Sequence, residues 1–151
     1  MSEIPRTMRA VLKEEPKEGY VMKEDFDVPD PHGDEVLIHV ERVSICGSDI
    51  ALYQWNDVAR VIASVPFIPG HEAVGTVVKC GPDATLLVGQ RVGVENHFFC
   101  GSCYCCKDKR GDICQDMGQY GHGKKTMHGG FSQYSVLSSK YCYPLTRMLS
   151  N

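Results

Sequence analysis

The sequence lacks the signals of membrane, secreted and nucleic-acid-binding proteins. No apolar run approaches the about 20 residues that a membrane-spanning helix needs, and residues 1–10 are too polar for a signal-peptide core. The chain has no Asn-x-Ser/Thr sequon, and a net charge of -3 argues against general nucleic-acid binding. We therefore expect a cytoplasmic protein with reduced thiols, no membrane contact and no nucleic-acid partner.

Cysteine, in contrast, is abundant, and half of the eight cysteines form one closely spaced group. Its members are separated by two, two and seven residues: Cys100, Cys103, Cys106 and Cys114. Zinc prefers four thiolates in a tetrahedron, and such a closed shell excludes water and substrate, so the group predicts a structural zinc. The alternatives are two disulfides or a redox Cys-x-x-Cys pair, which would need a strand-helix-strand setting that is missing here. Cys105 is a competing ligand, so the choice of Cys106 depends on spacing alone.

The rest of the chain predicts short strands separated by turns. Apolar and polar residues alternate over residues 36–43, and residues 8–13, 72–79 and 131–137 are further strand candidates. Prolines and glycines between these runs favour an antiparallel, barrel-like β domain. One short helix is expected after Ser48 and Asp49, which are its candidate caps.

We divide the chain into one domain, residues 1–144, with a zinc lobe at residues 95–118, and a tail at residues 145–151. No strand-Gly-x-Gly-x-x-Gly-helix unit is present, since residues 121–126 lack the third glycine. The same stretch also fails as a phosphate-binding loop, because Lys125 replaces the required serine or threonine. We therefore expect no nucleotide-binding domain within these residues.

A second group of candidate ligands lies outside the lobe. Cys46, followed by His71 and Glu72, offers too few soft donors to close a shell, which suits a catalytic metal with an open position. Ser48 is close enough to Cys46 in sequence to take the proton of an alcohol. Asp49 is a candidate to hold the second ring nitrogen of His71. The alternative is that Cys46 is a buried apolar cysteine and His71 a hydrogen-bonded turn residue.

Taken in chain order, these motifs resemble those of a known family. The order is Cys46-Gly-x-Asp49, Gly70-His71-Glu72-x-x-Gly75, Val88-Gly-x-Arg-Val92 and then the four-cysteine loop. It resembles the zinc-dependent medium-chain dehydrogenases, the alcohol, polyol and threonine dehydrogenase group. Three segments look most like L-threonine 3-dehydrogenases, with sorbitol dehydrogenases as the runner-up: residues 53–57, 65–72 and 95–97.

The resemblance implies a mainly β, GroES-like, partly open β-barrel catalytic domain with short helices and a four-cysteine zinc lobe. It implies one structural zinc and one catalytic zinc, the latter bound by Cys46 and His71 with Glu72 beside it or ligating it. NAD or NADP would bind to a separate Rossmann domain. Ala51 stands where many relatives have a proton-relay histidine, so His97 is a catalytic candidate that either replaces it or lines the cleft.

Two hypotheses follow for function. The chain is the catalytic-domain portion of a dehydrogenase that oxidises a secondary alcohol, threonine-like or polyol-like, and is then expected to be truncated and inactive alone. Alternatively, it is a zinc-stabilised binding or regulatory module derived from a dehydrogenase. Expected partners are a small-molecule alcohol substrate, and a second copy of the chain or full-length subunits.

Overall fold

Strands dominate the part of the chain that the computed structural model describes, residues 3–145. The strands there are β1 (Thr7–Leu12), β2 (Val21–Asp27), β3 (Glu35–Ser44), β4 (Glu72–Cys80), β5 (Arg91–Val94), β6 (His97–Phe98), β7 (Gly118–Gln119), β8 (Tyr134–Ser138) and β9 (Cys142–Pro144). The α-helices are α1 (Gly47–Gln54), α2 (Asp57–Ile62) and α3 (Tyr104–Lys107). The prediction of a mainly β chain with short helices is confirmed. No helix in the described range is long and apolar enough to cross a membrane.

Five strands form the central sheet, in the order β8–β3–β4–β5–β9, and every neighbouring pair is antiparallel. The pairs β1–β2 and β6–β7 form separate two-stranded sheets, so the described strands make a partly open arrangement. Side chains of the central sheet supply much of the largest core cluster, including Val36, Ile38, Val77, Val92 and Leu137. Full burial of one such side chain contributes about 1.5–3 kcal/mol.

Three of the four predicted strands match the structure closely as β1, β3 and β4. The fourth begins at Tyr134, three residues later than predicted. The preceding residues pair with β1, at the isolated bridge between Ala10 and Ser132, and with the turn before β4. The amide of Gly130 donates to the Gly70 carbonyl at 2.6 Å, and that of Phe131 donates to the Pro69 carbonyl at 2.9 Å.

The predicted helix exists as α1, but its cap differs from the expectation. Cys46 is the N-cap residue, and the Asp49 carboxylate inside the first turn accepts a hydrogen bond from the Cys46 amide at 2.8 Å. Ser48 therefore lies within the helix. Helix α2 was not predicted, although its start carries a common N-cap signal. The Asn56 side chain accepts hydrogen bonds from backbone amides of the first turn, including that of Ala59.

Aromatic contacts fasten the cysteine-rich region to the central sheet. Strands β6 and β7 pair at its base, and the ring of Phe98 in β6 stacks on Tyr141 with centroids 4.3 Å apart. The Tyr141 hydroxyl donates to the Phe99 carbonyl at 2.8 Å. The cysteine-rich region is therefore held to the core by contacts on the strand that precedes it.

The predicted tail, residues 145–151, lies outside the described residues except for Leu145. The amide of Leu145 donates to the carbonyl of Arg91 at 2.9 Å, next to the last residue of β9. The division into a domain at 1–144 and a lobe at 95–118 stays a prediction.

Candidate metal centres

The structure brings the four predicted lobe cysteines together. Their sulfur atoms all lie within 4.8 Å of one another, and Cys105 is not part of this group: Cys100, Cys103, Cys106 and Cys114. The Sγ atoms of Cys100 and Cys106 are 3.9 Å apart, as are those of Cys103 and Cys114. A tetrahedral ion with Zn–S bonds of about 2.3 Å needs S···S edges of about 3.8 Å, so the donor set fits zinc. These separations far exceed a disulfide bond of about 2.05 Å, and all four thiols are free.

Backbone amides point at the lobe sulfurs and favour the thiolate form that a metal needs. The Sγ atom of Cys100 accepts hydrogen bonds from the amides of Ser102 and Cys103 at 3.4 and 3.3 Å. The hydroxyl and amide of Ser102 lower the pKa of Cys100 to about 6. Loss of hydration, with smaller contributions from hydrogen bonds with neighbouring thiols, instead raises the pKa of Cys106 to about 12.

The second predicted group also comes together, although its members are distant in sequence. Candidate donor atoms of Cys46, His71 and Glu72 lie within 4.8 Å of one another. Cys46 stands immediately before α1, whereas Glu72 opens β4 and His71 precedes it. The turn into β4 requires Gly70, whose φ is +84° and whose Cα faces the Phe131 ring.

His71 is 5% exposed and is oriented by two residues of α1. Its Nδ1 atom is 3.6 Å from Oδ1 of Asp49, and its Nε2 atom is 3.4 Å from the Ser48 hydroxyl. Both Nδ1 of His71 and Oδ1 of Asp49 are buried and have no hydrogen-bond partner. A small shift of the two side chains toward each other would form a hydrogen bond that satisfies both atoms. Asp49 therefore favours the tautomer with a proton on Nδ1, which leaves the lone pair of Nε2 facing Ser48 and Glu72.

The charges of this site support each other. The Asp49 carboxylate beside the ring raises the pKa of His71, and the Ser48 amide lowers the pKa of the Cys46 thiol. Burial raises the pKa of Asp49, but the neighbouring His71 ring and the hydrogen bond from the Cys46 amide outweigh it, so its net pKa is lowered. One thiolate, one imidazole and one carboxylate fit a metal that keeps a coordination position open.

A cleft of about 420 Å³ opens beside these donors and contains residues that sequence reasoning missed. Ser44 is one of them, and its hydroxyl donates to Oε2 of Glu72 at 2.6 Å. Glu95 and Asn96 also line the cleft. No local signal marked Ser44, because it meets Glu72 only through the β3–β4 register.

His122 is a second residue that the sequence did not reveal. It is 4% exposed, and its ring centroid lies 4.8 Å from that of His71. Its Nδ1 atom is 3.0 Å from the Tyr120 carbonyl, and burial lowers its pKa. The available signal was its place between Gly121 and Gly123, which both adopt positive φ and let the loop pass close to Gly70 and Ser64, respectively.

The third catalytic candidate, His97, is not part of either ligand group. It lies in β6, where its Nδ1 atom is 3.1 Å from Oε1 of Glu95. It lines a separate cavity of about 420 Å³ with Phe99, Lys109 and Tyr143. Glu95 lines both this cavity and the cleft beside His71. A catalytic role for His97 stays a prediction.

Sequence relatives agree with the motif order. The model of the alcohol dehydrogenase GroES-like domain matches residues 32–147. The L-threonine 3-dehydrogenase of Thermococcus kodakarensis is 41% identical over 134 residues, which cover 88% of this chain and 37% of that protein. The enzyme of the same name from Pyrococcus furiosus is 39% identical with the same coverage. The chain thus spans little more than a third of the length of these relatives.

Solved structures share the fold of the described residues. A zinc-binding dehydrogenase from Sinorhizobium meliloti 1021, bound to NADP, superposes with a TM-score of 0.82 at 26% identity, covering 95% of this chain and 40% of that one. The D-arabinose dehydrogenase from Sulfolobus solfataricus gives 0.79 at 31% identity, covering 95% and 42%. The predicted GroES-like fold is confirmed, and the chain belongs to the alcohol dehydrogenase GroES-like domain family.

Proposed function

We propose that this chain is the catalytic-domain portion of a zinc-dependent, NAD(P)-dependent oxidoreductase that converts a secondary alcohol to a ketone. The observation that carries the proposal is the convergence of Cys46, His71 and Glu72 beside an open cleft that His71 and Glu72 line. The three donors come from two separate segments, and His71 is buried whereas Glu72 is exposed. Such an incomplete shell at a cleft is typical of a catalytic metal.

The lobe cysteines hold a structural zinc in this proposal. Their four sulfurs already have the spacing of a closed tetrahedral shell, and amides stabilise the thiolates of Cys100 and Cys114. Such a shell has no open position for a substrate. The lobe therefore contributes stability rather than chemistry.

At the second site, zinc supplies Lewis-acid polarisation of an oxygen atom when it is bound. The chain's own residues then position the donors and move the proton. Asp49 holds the Nδ1–H side of His71 and so keeps the ring orientation fixed. Ser48 has the hydroxyl nearest to Nε2 of His71, at 3.4 Å, and accepts the proton of the substrate alcohol. A nicotinamide bound by the remainder of the enzyme accepts the hydride.

L-Threonine is the first candidate substrate, supported by the 41% identity to an enzyme named for it. The cleft offers suitable chemistry, because the Glu95 carboxylate on its wall is complementary to an amino group. A polyol carries no positive charge that could pair with this carboxylate. Charge recognition at Glu95 therefore favours an amino-acid alcohol over a sugar alcohol.

The test is metal content and its response to alcohols. We expect two zinc ions per chain, and one in Cys46→Ser, where zinc affinity at the cleft falls by more than about 100-fold, beyond the range for outer-shell partners. With zinc kept in the lobe and cobalt at the cleft, L-threonine should change the visible spectrum of the parent and leave that of Cys46→Ser unchanged. Cys80→Ser, which alters a cysteine outside both groups, is the matched control. Two firmly bound zinc ions in Cys46→Ser would contradict the assignment.

A second candidate is a zinc-stabilised, non-catalytic binding or regulatory module that pairs with itself or with full-length subunits. The observation in its favour is that the four lobe sulfurs form a complete zinc-binding donor set without any residue of the cleft. The response of the cleft metal separates the two candidates, because neither candidate places a nicotinamide site within these residues. A change in the visible spectrum of cleft cobalt on addition of L-threonine or a polyol favours the catalytic domain. No change with either alcohol, in a chain that retains both metal ions and forms a concentration-dependent dimer in sedimentation, favours the module.

A further inference from the structure

Lys13, just after β1, is a fully buried lysine at 0% exposure. Its ammonium donates to three main-chain carbonyls: those of Lys17, Gly19 and Tyr53, the last two at 3.0 and 2.9 Å. The same Nζ atom lies 5.4 Å from the ring centroids of both Tyr20 and Trp55. All three donors of the ammonium are used, and both rings present their π systems to it.

The main chain of Lys13 is tied to the segment that carries His71. Its amide donates to the Phe67 carbonyl at 2.8 Å, and its carbonyl accepts the Phe67 amide at 3.1 Å. Phe67 precedes His71 by four residues and is fully buried. The backbone of Lys13 therefore supports one side of the Cys46–His71–Glu72 group.

The ammonium of Lys13 reaches the other side of the group through α1. Tyr53, whose carbonyl it binds, lies in the last turn of that helix, which has no basic residue of its own. A cation there is favourable for the helix dipole. Tyr20 lies beside the ammonium, and its hydroxyl donates a hydrogen bond to the Asp49 carbonyl at 2.8 Å. Its ring contacts the Tyr53 ring edge-on, with centroids 5.3 Å apart.

We propose that Lys13 is a positioning residue for the cleft metal site, setting the separation between the helix that follows Cys46 and the strand segment that carries His71. The backbone of Lys13 holds the segment that carries His71, and its ammonium holds the helix that follows Cys46. The link to metal binding depends on the proposed function, whereas the link between the two segments does not. Tyr20 completes the connection, because it touches both the ammonium and the residue that orients His71.

Hydrogen exchange tests the link between the segments without metal at the cleft. In Lys13→Met, the amides of residues 47–54 and 67–71 should exchange at least about 10-fold faster, since local opening becomes easier there. Exchange in the paired parts of β3 and β4 should stay unchanged. Lys79→Met, which removes an exposed lysine paired with Asp30, is the control and should leave both segments as in the parent. Unchanged exchange in both segments of Lys13→Met overturns the proposal.

Chemical rescue tests whether the ammonium itself is required. Lys13→Ala removes the atoms of one propylammonium ion, so cobalt affinity at the cleft should fall by about 10–100-fold, as for loss of an outer-shell partner. Added n-propylammonium should restore the affinity and the parent spectrum, whereas 1-propanol should not. Equal recovery with 1-propanol, or none with either, contradicts the proposal.

Failure of the proposed function gives a different result. If cobalt binds the parent and Cys46→Ser alike, the metal assignment is wrong, and the exchange comparison still tests Lys13. If Lys13→Met does not fold, recovery of the fold of Lys13→Ala by n-propylammonium alone supports the positioning role. Tyr20→Phe, which keeps the ring and removes the bond to Asp49, should loosen residues 47–54 and leave residues 67–71 unchanged.

Discussion

Cys103→Ser should release the lobe zinc and unfold the region around it. A serine hydroxyl is a poor replacement for a thiolate, and the three remaining sulfurs leave the shell open. Binding of structural zinc contributes about 10–16 kcal/mol in small peptides at neutral pH. We therefore expect Cys103→Ser to lower the stability more than any other single substitution considered for this chain. Zinc content after dialysis measures the release. Thermal unfolding should show a lower and broader transition.

The matched control for this prediction is Cys105→Ser. Cys105 is adjacent to Cys106 in α3, but its sulfur is outside the four-cysteine group. The Cys105→Ser variant should therefore keep the firmly bound lobe zinc and the stability of the parent. Stoichiometric lobe zinc in Cys103→Ser, or its loss from Cys105→Ser, would mean that the ligand set is wrong. The stacking of Phe98 on Tyr141 should preserve the central sheet in either variant.

The lobe was predictable from the sequence because its geometry is local. The four cysteines lie within 15 residues, and a short loop with a positive-φ turn at Gly101 has few ways to surround one ion. Spacing alone selected Cys106 over Cys105, and the structure places the Cys106 sulfur among the other three. The strands were predictable for a similar reason, since alternation in residues 36–43 is a property of consecutive residues.

The cleft was predictable only through the resemblance to dehydrogenases, because its residues come from distant segments. Cys46 and His71 are 25 residues apart, and nothing local to either requires the other. Glu72 meets Ser44 through strand pairing, and Lys13 meets Tyr53 through a turn and a helix end. Such contacts depend on register and on the paths of loops, which periodicity does not encode.

Burial was likewise harder to predict where a second segment covers the outer face of a strand. Leu37 alternates with Val36 and Ile38 in sequence, yet all three are buried. Leu37 faces Val28 and Pro29 across a small cavity, so the outer face of β3 is covered at this point. The alternation of a single strand cannot reveal that another segment crosses its polar face.

The glycine-rich stretch after the lobe matches neither a nucleotide-binding nor a phosphate-binding pattern in sequence, and the structure gives it a different role. Lys125 donates to the Asp116 carbonyl at 2.8 Å next to the lobe, and Lys124 donates to the Val61 carbonyl at 2.8 Å at the end of α2. Between them and β7, His122 packs on His71. One short loop therefore contacts His71 directly and reaches the lobe through Asp116, whose amide donates to the Cys114 sulfur at 3.4 Å.

Gly123→Ala should be the most damaging small substitution in this loop. Gly123 has a φ of +75°, and a Cβ atom there would overlap the Ser64 carbonyl oxygen, which is backbone and cannot rotate away. Left-handed backbone costs a non-glycine residue about 1–2 kcal/mol, and overpacking adds about 1–3 kcal/mol. We expect a total loss of about 2–5 kcal/mol in the free energy of unfolding, measured in urea with zinc in excess.

Gly89→Ala isolates the backbone contribution, because Gly89 also has positive φ, +92°, with no atom near its missing Cβ. Gly89→Ala should lower the free energy of unfolding by only about 1–2 kcal/mol. Equal losses in the two variants would show that the loop yields freely and that its contact with Ser64 is unimportant. The larger loss in Gly123→Ala should be accompanied by faster exchange around His71 and an unchanged lobe zinc. The amide of Ser64 binds the His122 carbonyl at 3.0 Å, so a displaced Ser64 takes His122 away from His71 while the four cysteines keep their own shell.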